Sequence, residues 1–210
     1  MHVDVLGLSA GSLSAALFVT QANFDQAADF AIAQAHRERL WSNPGGLAGV
    51  WGGLVEEWLG ELISEKITPD NLDSLAIVAT PVALTTTSKI LRNFSNKQDV
   101  IDACMVSVHI PFFMDGRLYR KYNGDRYIDG SFWPYVTNGR IPDPIPDRNC
   151  YTDLFNIDYR DDGEFLSKMD GSFVRLISPD GLYDMVNAGY LYMKKLDAAG
   201  RIPDLFVPVT

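Results

Sequence analysis

The spacing of apolar and polar residues changes several times along the chain, and each change marks an element. His2-Val3-Asp4-Val5-Leu6 is a short apolar stretch that predicts a strand. Ser12-Leu13-Ser14-Ala15-Ala16-Leu17-Phe18 is small and apolar and predicts a buried helix. Asn23 or Asp25 can cap a further helix running to about Arg39, with Phe24, Ala28, Ile32, Ala35 and Leu40 roughly on one face. Asn43-Pro44-Gly45-Gly46 breaks the pattern. From Leu47 to Ile63 apolar residues recur at i, i+3, i+4 spacing, with Glu56, Glu57, Glu61, Glu65 and Lys66 on the other side. This is the clearest amphipathic helix of the chain. Gly52 and Gly53 weaken its first turns, by about 1 kcal/mol each relative to Ala. Its stripe fits the core face of a helix packed on a sheet. The alternative is a lid or lipid-contacting helix anchored by Trp51 and Trp58.

Thr68-Pro69-Asp70-Asn71 reads as a turn, and Leu75-Ala76-Ile77-Val78-Ala79 as a buried parallel strand. Thr85 to Thr87 and Lys89 to Phe94 read as extended. Ser95 or Asn96 caps a helix through Val100, Ile101, Cys104 and Val108, ended by His109-Ile110-Pro111. Leu118 to Tyr122, an Asn123-Gly124 turn and Arg126-Tyr127-Ile128 predict a hairpin whose second arm delivers Asp129-Gly130-Ser131. Residues 141–162 are loop-like, with prolines at 142, 144 and 146. Phe173 to Ile177 is a last strand, and Asp180 or Gly181 opens a helix ending at Gly200. Strands alternating with helices predict an α/β sandwich around a mostly parallel sheet. A length of 210 residues fits a single domain over 1–210.

Composition narrows the function classes. The net charge is −9, from 27 acidic and 18 basic residues. That argues against nucleic acid and against electrostatic docking on anionic lipid. It leaves a neutral or apolar lipid substrate open. Cys104 and Cys150 form no disulfide framework and suggest a reducing, cytoplasmic setting. No cofactor and no metal site is indicated. Val5 to Val19 has the apolarity of a signal-peptide core but no preceding Lys or Arg, and serines and glycines interrupt it. No run approaches the ~20 apolar residues that span a bilayer.

Between the first strand and the first helix lies Gly7-Leu8-Ser9-Ala10-Gly11, a G-x-S-x-G motif in strand–turn–helix context. Such a turn lifts the serine hydroxyl off the sheet and aims a helix N-terminus at the reacting carbon. Glycines at positions 7 and 11 would remove Cβ atoms where strand and helix nearly touch. Ser9 is therefore a candidate nucleophile. The bland reading is a tight βα turn in an ordinary α/β domain.

A serine nucleophile needs a base. The chain has three histidines, His2, His36 and His109. In elbow hydrolases of the Ser-Asp-His order the histidine comes last, and none follows position 109. Lys89 and Lys97 could make a Ser–Lys pair but sit in no supporting motif. Asp129 ends a strand and is followed by Gly130, which lets the backbone turn. It is the leading candidate base.

Gly7-Leu8-Ser9-Ala10-Gly11 together with Asp129-Gly130-Ser131 resembles the Ser-Asp dyad of the patatin-like phospholipases. Ser107-Val108-His109-Ile110-Pro111-Phe112-Phe113 and Gly124-Asp125-Arg126-Tyr127-Ile128 are similar to that family's segments before the aspartate. The likeness covers residues 1–136. It implies a three-layer α/β/α fold and lipid acyl-ester hydrolysis without metal or cofactor. Ser9 would be the nucleophile and Asp129 the base, acting through an acyl-enzyme. It also implies a lipid acyl-ester substrate and peripheral contact with a membrane or lipid droplet. Leu8, Leu13, Phe112, Phe113, Phe132 and Trp133 suit an acyl chain and equally suit a core.

Three departures stand out. His109 replaces a small residue, and Ser131 replaces Gly or Ala. Only eight residues precede Ser9, so the glycine-rich oxyanion loop of such enzymes has no counterpart here. The chain accordingly reads as N-terminally truncated, with its first strand lacking a neighbour. The alternative function is a catalytically impaired domain that binds lipid or a protein partner.

Overall fold

The computed structural model describes residues 5–68, 72–83, 88–131 and 177–200. The chain divides into two units, Met1–Pro144 and Ile145–Thr210. Every described strand belongs to the first. Several expectations lie outside the described residues: Met1 to Asp4, Pro69 to Asn71, Thr85 to Thr87, Phe132, Trp133, the 141–162 loop, Cys150 and the strand over 173–176.

β1 (Val5–Leu8) pairs in parallel with β2 (Leu75–Pro81), from Val5 opposite Leu75 to Leu8 opposite Val78. A parallel pair needs a long crossover. Here it carries α1 (Ala10–Val19), α2 (Phe24–Arg37), a 3-10 turn at Leu40–Ser42 and α3 (Trp51–Leu62). β3 (Lys89–Leu91) runs antiparallel to β2. α4 (Lys97–Ser107) follows, and then the hairpin of β4 (Arg120–Tyr122) and β5 (Asp125–Asp129). β5 pairs antiparallel with β2 over Ala79–Pro81.

The α/β class stands, but the sheet is mixed rather than mostly parallel. Among the described residues, one of its four pairings is parallel. The hairpin explains part of this. Asn123 and Gly124 take φ values of 48° and 87°, the left-handed pair that turns a strand straight back on itself. An open mixed sheet with helices packed on it is compatible with an α/β/α sandwich. α1 and α4 lie against the strands, α3 against both of these helices, and α2 against α3.

The core is built around β2. Leu75 to Ala79 are completely buried, as an apolar run without alternation requires when both faces are covered. α4 buries residues all round, including Val100, Ile101, Cys104 and Val106. Its cap is Asn96, whose side chain accepts from the Asp99 N–H, while Asn23 caps α2. α3 is a core-face helix. Val55 and Leu59 are buried, and Trp51 and Trp58 pack against the core. The Trp58 indole donates to the Ala27 carbonyl at 2.8 Å. An indole committed to another helix is no free interface anchor, so the lid reading falls.

The second unit contributes α5 (Pro179–Ala198). Its cap is Ser178 rather than Asp180 or Gly181. The Ser178 hydroxyl accepts from the Gly181 N–H, and Pro179 occupies the first turn, where no N–H donor is missed. Among the described residues no helix is long and apolar enough to cross a membrane.

Candidate active site

Ser9 joins β1 to α1 with φ 51° and ψ −131°. A serine in this region is strained, and such strain persists only where neighbours over-determine it. Three contacts do so. The Ser9 carbonyl accepts from the Ser12 N–H at 2.8 Å and the Ser12 hydroxyl at 2.7 Å. The Ser9 N–H donates to the Ser107 hydroxyl oxygen at 3.0 Å. That hydroxyl in turn donates to the Val78 carbonyl at 2.7 Å. Ser107 thus ties the elbow to the last turn of α4 and to β2.

The two elbow glycines are not equivalent. A Cβ on Gly7 would come within 2.5 Å of Ser12 Cα and 2.8 Å of the Gly11 carbonyl oxygen. Gly7 is therefore required for strand and helix to approach. A Cβ on Gly11 would meet nothing within 4 Å. That corrects the symmetric expectation: Gly11 lies on the exposed side of the first helical turn. Among the described residues the Ala10 and Gly11 N–H groups have no hydrogen-bond acceptor. They form the open N-terminal end of α1.

The strand register brings the second residue to the first. β1 stops at Leu8, opposite Val78, and β5 stops at Asp129, opposite Ala79. β1 and β5 run in opposite directions along β2, so their ends meet at one level. There the Ser9 hydroxyl donates to Asp129 Oδ2 at 2.5 Å, across 120 residues of sequence. The Asp129 side chain is buried, 2% exposed, and buried carboxylates need partners. Oδ1 accepts from the Ser131 N–H and from the Ser131 hydroxyl, each at 2.7 Å. The backbone is clamped as well. The Asp129 N–H donates to the His109 carbonyl at 2.8 Å, and the Gly130 N–H to the Ser107 carbonyl at 3.3 Å.

Gly130 earns its place by proximity. Its φ is not positive, so the turn itself does not demand glycine. A Cβ there would strike Leu8 Cδ1 and lie 2.8 Å from the Val78 carbonyl oxygen.

The other candidate bases lie elsewhere. His109 is buried, and its Nε2–H donates to the Arg117 carbonyl at 3.2 Å. Burial holds its pKa below the ordinary value; Asp115 and the bond to Arg117 pull the other way. Its backbone carbonyl, not its ring, accepts from the Asp129 N–H. His36 is exposed and stacks on Trp41 with ring centroids 4.7 Å apart. His2 lies outside the described residues. Lys89 pairs with Asp125 at 3.6 Å, and Lys97 donates to the Gly60 carbonyl and to Glu65. The Cys104 thiol is pushed up to about 12 by burial, so it is no competing nucleophile. Among the described residues no group of His, Cys, Asp or Glu is arranged to hold a metal ion.

The apolar residues separate. Leu13 and Phe113 pack against the core. Phe112 is 64% exposed at φ 64°. Ser107 entered the sequence reading only as the first residue of the segment before the aspartate, with no role at the site. Its signal was faint, a hydroxyl at the end of an otherwise apolar helix.

In this α/β domain a strained serine at a strand–helix elbow stands against a buried carboxylate. By sequence, the family model described as patatin-like phospholipase matches residues 5–136. The chain belongs to the patatin-like phospholipase family, a family of lipid acyl hydrolases. No curated protein and no solved structure matches it.

Proposed function

We propose that this chain hydrolyses lipid acyl esters with Ser9 as nucleophile and Asp129 as general base. The observation that carries the reading is the hydrogen bond from the Ser9 hydroxyl to Asp129 Oδ2 at 2.5 Å. Ser9 Oγ attacks the ester carbonyl carbon while Asp129 Oδ2 takes the hydroxyl proton. The tetrahedral intermediate collapses, the C–O bond to the alcohol breaks, and the alcohol leaves with the proton from Asp129. A water then attacks the acyl-enzyme as Asp129 accepts one of its protons. Fatty acid departs and the Ser9 hydroxyl is restored.

The developing oxyanion needs donors. The open N–H groups of Ala10 and Gly11 support this role, because they sit at the positive end of α1 beside Ser9. The substrate of this reaction resides in membranes or lipid droplets, so peripheral contact with such a surface follows from the reading. Leu8 at the site suits an acyl chain.

A fluorophosphonate probe, which reacts with activated serines, tests the assignment on the full chain. Labelling is expected at Ser9, absent in Ser9→Ala, and slowed by ~10²–10⁴ in Asp129→Asn, the range for loss of a general base. Esters with medium or long acyl chains should turn over faster than acetyl esters. Unlabelled wild-type protein, or hydrolysis that survives Ser9→Ala, sinks the assignment. Unlabelled protein that still binds lipid vesicles would favour a non-catalytic lipid-binding role.

A further inference from the structure

We propose that Ser131 is a positioning residue that fixes the rotamer of Asp129 and so keeps one particular carboxylate oxygen on the nucleophile. The inference rests on the Ser9–Asp129 reading. A carboxylate is two-fold symmetric about its Cγ and can present either oxygen to a donor. For Asp129 to accept the Ser9 proton, one oxygen must stay free of other donors and in line with Oγ. The two oxygens divide the work. Oδ2 accepts from the Ser9 hydroxyl at 2.5 Å. Oδ1 accepts two hydrogens from a single residue, the N–H and the hydroxyl of Ser131, both at 2.7 Å.

The N–H bond is an ordinary feature of an Asp followed by a turn, since an Asx turn recruits the N–H two residues on. The hydroxyl bond is not part of that motif. It needs a side chain with a donor at position 131, in the rotamer seen here. Bonds to a carboxylate are short and about twice as strong as neutral ones, so two of them on one oxygen hold the group against rotation about χ2. The backbone clamps at Asp129 and Gly130 fix the main chain but leave that torsion free. Ser131 is half-buried, so removing its hydroxyl leaves no large void. Its hydrogen bonds go to Asp129 rather than to Ser9, so its effect passes through Asp129.

The test compares wild-type protein with Ser131→Ala, Ser131→Thr, Ser9→Ala and Asp129→Asn. The readouts are the fluorophosphonate labelling rate, ester kcat and KM, and the melting temperature. Ser131→Ala keeps the N–H bond and loses the hydroxyl bond. We expect labelling and kcat to fall roughly 10-fold, the scale of one hydrogen bond to a charged group. KM should stay unchanged, and the melting temperature should fall only modestly, because Oδ1 of the buried carboxylate loses one partner and keeps the Ser131 N–H. Ser131→Thr restores the hydroxyl and should recover most of the rate. If Ser9→Ala and Asp129→Asn lose activity but Ser131→Ala matches wild type, the role of Ser131 is wrong and the dyad stands. A Ser131→Ala deficit that Thr does not rescue, or one that appears in KM or stability alone, also overturns it. If wild-type protein goes unlabelled, or Ser9→Ala keeps its activity, the dyad reading falls and this inference with it.

Discussion

Ser9 and Asp129 meet at one point but are held there by different means. The geometry of Ser9 is written mostly into its neighbours. Gly7 allows strand and helix to touch, Ser12 bonds back to the Ser9 carbonyl, and the left-handed φ fixes the hydroxyl's direction. Asp129 depends on segments brought from afar. The end of α4 supplies the carbonyl of Ser107 and the turn after it that of His109, which bind its backbone, and β2 supplies the register. A local device survives as a motif of five letters. A long-range device leaves separate residues with nothing between them to mark the link. The two sides should therefore fail differently when altered.

The largest effect is expected at Gly7. Gly7→Ala places a methyl against backbone atoms of Ser12 and Gly11 that cannot rotate away. Overpacking of that kind costs about 1–3 kcal/mol and can cost more, and here strand and helix must part. We expect a loss of about 3 kcal/mol or more in chemical denaturation. Gly11→Ala is the contrasting control. Its methyl enters open space within a helix, so stability should rise, by up to ~1 kcal/mol. Equal effects at the two glycines would show that the elbow does not depend on close approach.

An intermediate effect is expected at Ser107, which joins the two sides. Its hydroxyl receives the Ser9 N–H and its carbonyl receives the Gly130 N–H. Ser107→Ala removes the first link and keeps the second. A buried N–H without a partner costs about 1–3 kcal/mol, so stability should fall by about 2 kcal/mol. Fluorophosphonate labelling of Ser9 should slow while the protein remains folded. A variant that loses stability with no change in labelling would place Ser107 in the packing alone.

How far the sequence could be read follows the same division. The elbow, the amphipathic face of α3 and the hairpin at Asn123-Gly124 were legible because each rests on residues close together. Asn96 as a cap was legible as one of two adjacent choices. Ser178 was readable in principle, since Ser before Pro is a helix-start signal, and Asp180 drew attention away from it. Strand direction was not legible: Leu75 to Ala79 reads the same whether its neighbours run parallel or antiparallel. Nor could the letters tell Gly7 from Gly11, since the difference is how near the next element comes. Ser107 was the least visible, because its bond to Ser9 spans 98 residues.

The smallest effect is expected on the Asp129 side, from His109. The ring is buried, and burial holds its pKa below the ordinary value of 6.5, with the charges of Arg120 and Arg117 adding to that and Asp115 and the bond to the Arg117 carbonyl opposing. In the unfolded chain the same imidazole takes up a proton near 6.5. Between that value and the lower folded one, the unfolded state binds more protons than the folded state. Stability then rises with pH across this window. The contribution of neutral His109 is fully present above about 6.5 and is lost as the pH falls through the folded value. Melting temperature should therefore drop between pH 7.5 and pH 5. The drop should be smaller in His109→Gln, whose amide can still donate to the Arg117 carbonyl but does not titrate. Since the His109 carbonyl accepts from the Asp129 N–H, acid should loosen the Asp129 side of the site before the elbow, where the Ser9 backbone is held by the neutral groups of Ser12 and Ser107. Parallel melting curves for the two proteins across that range would show that burial of His109 does not couple its proton to folding.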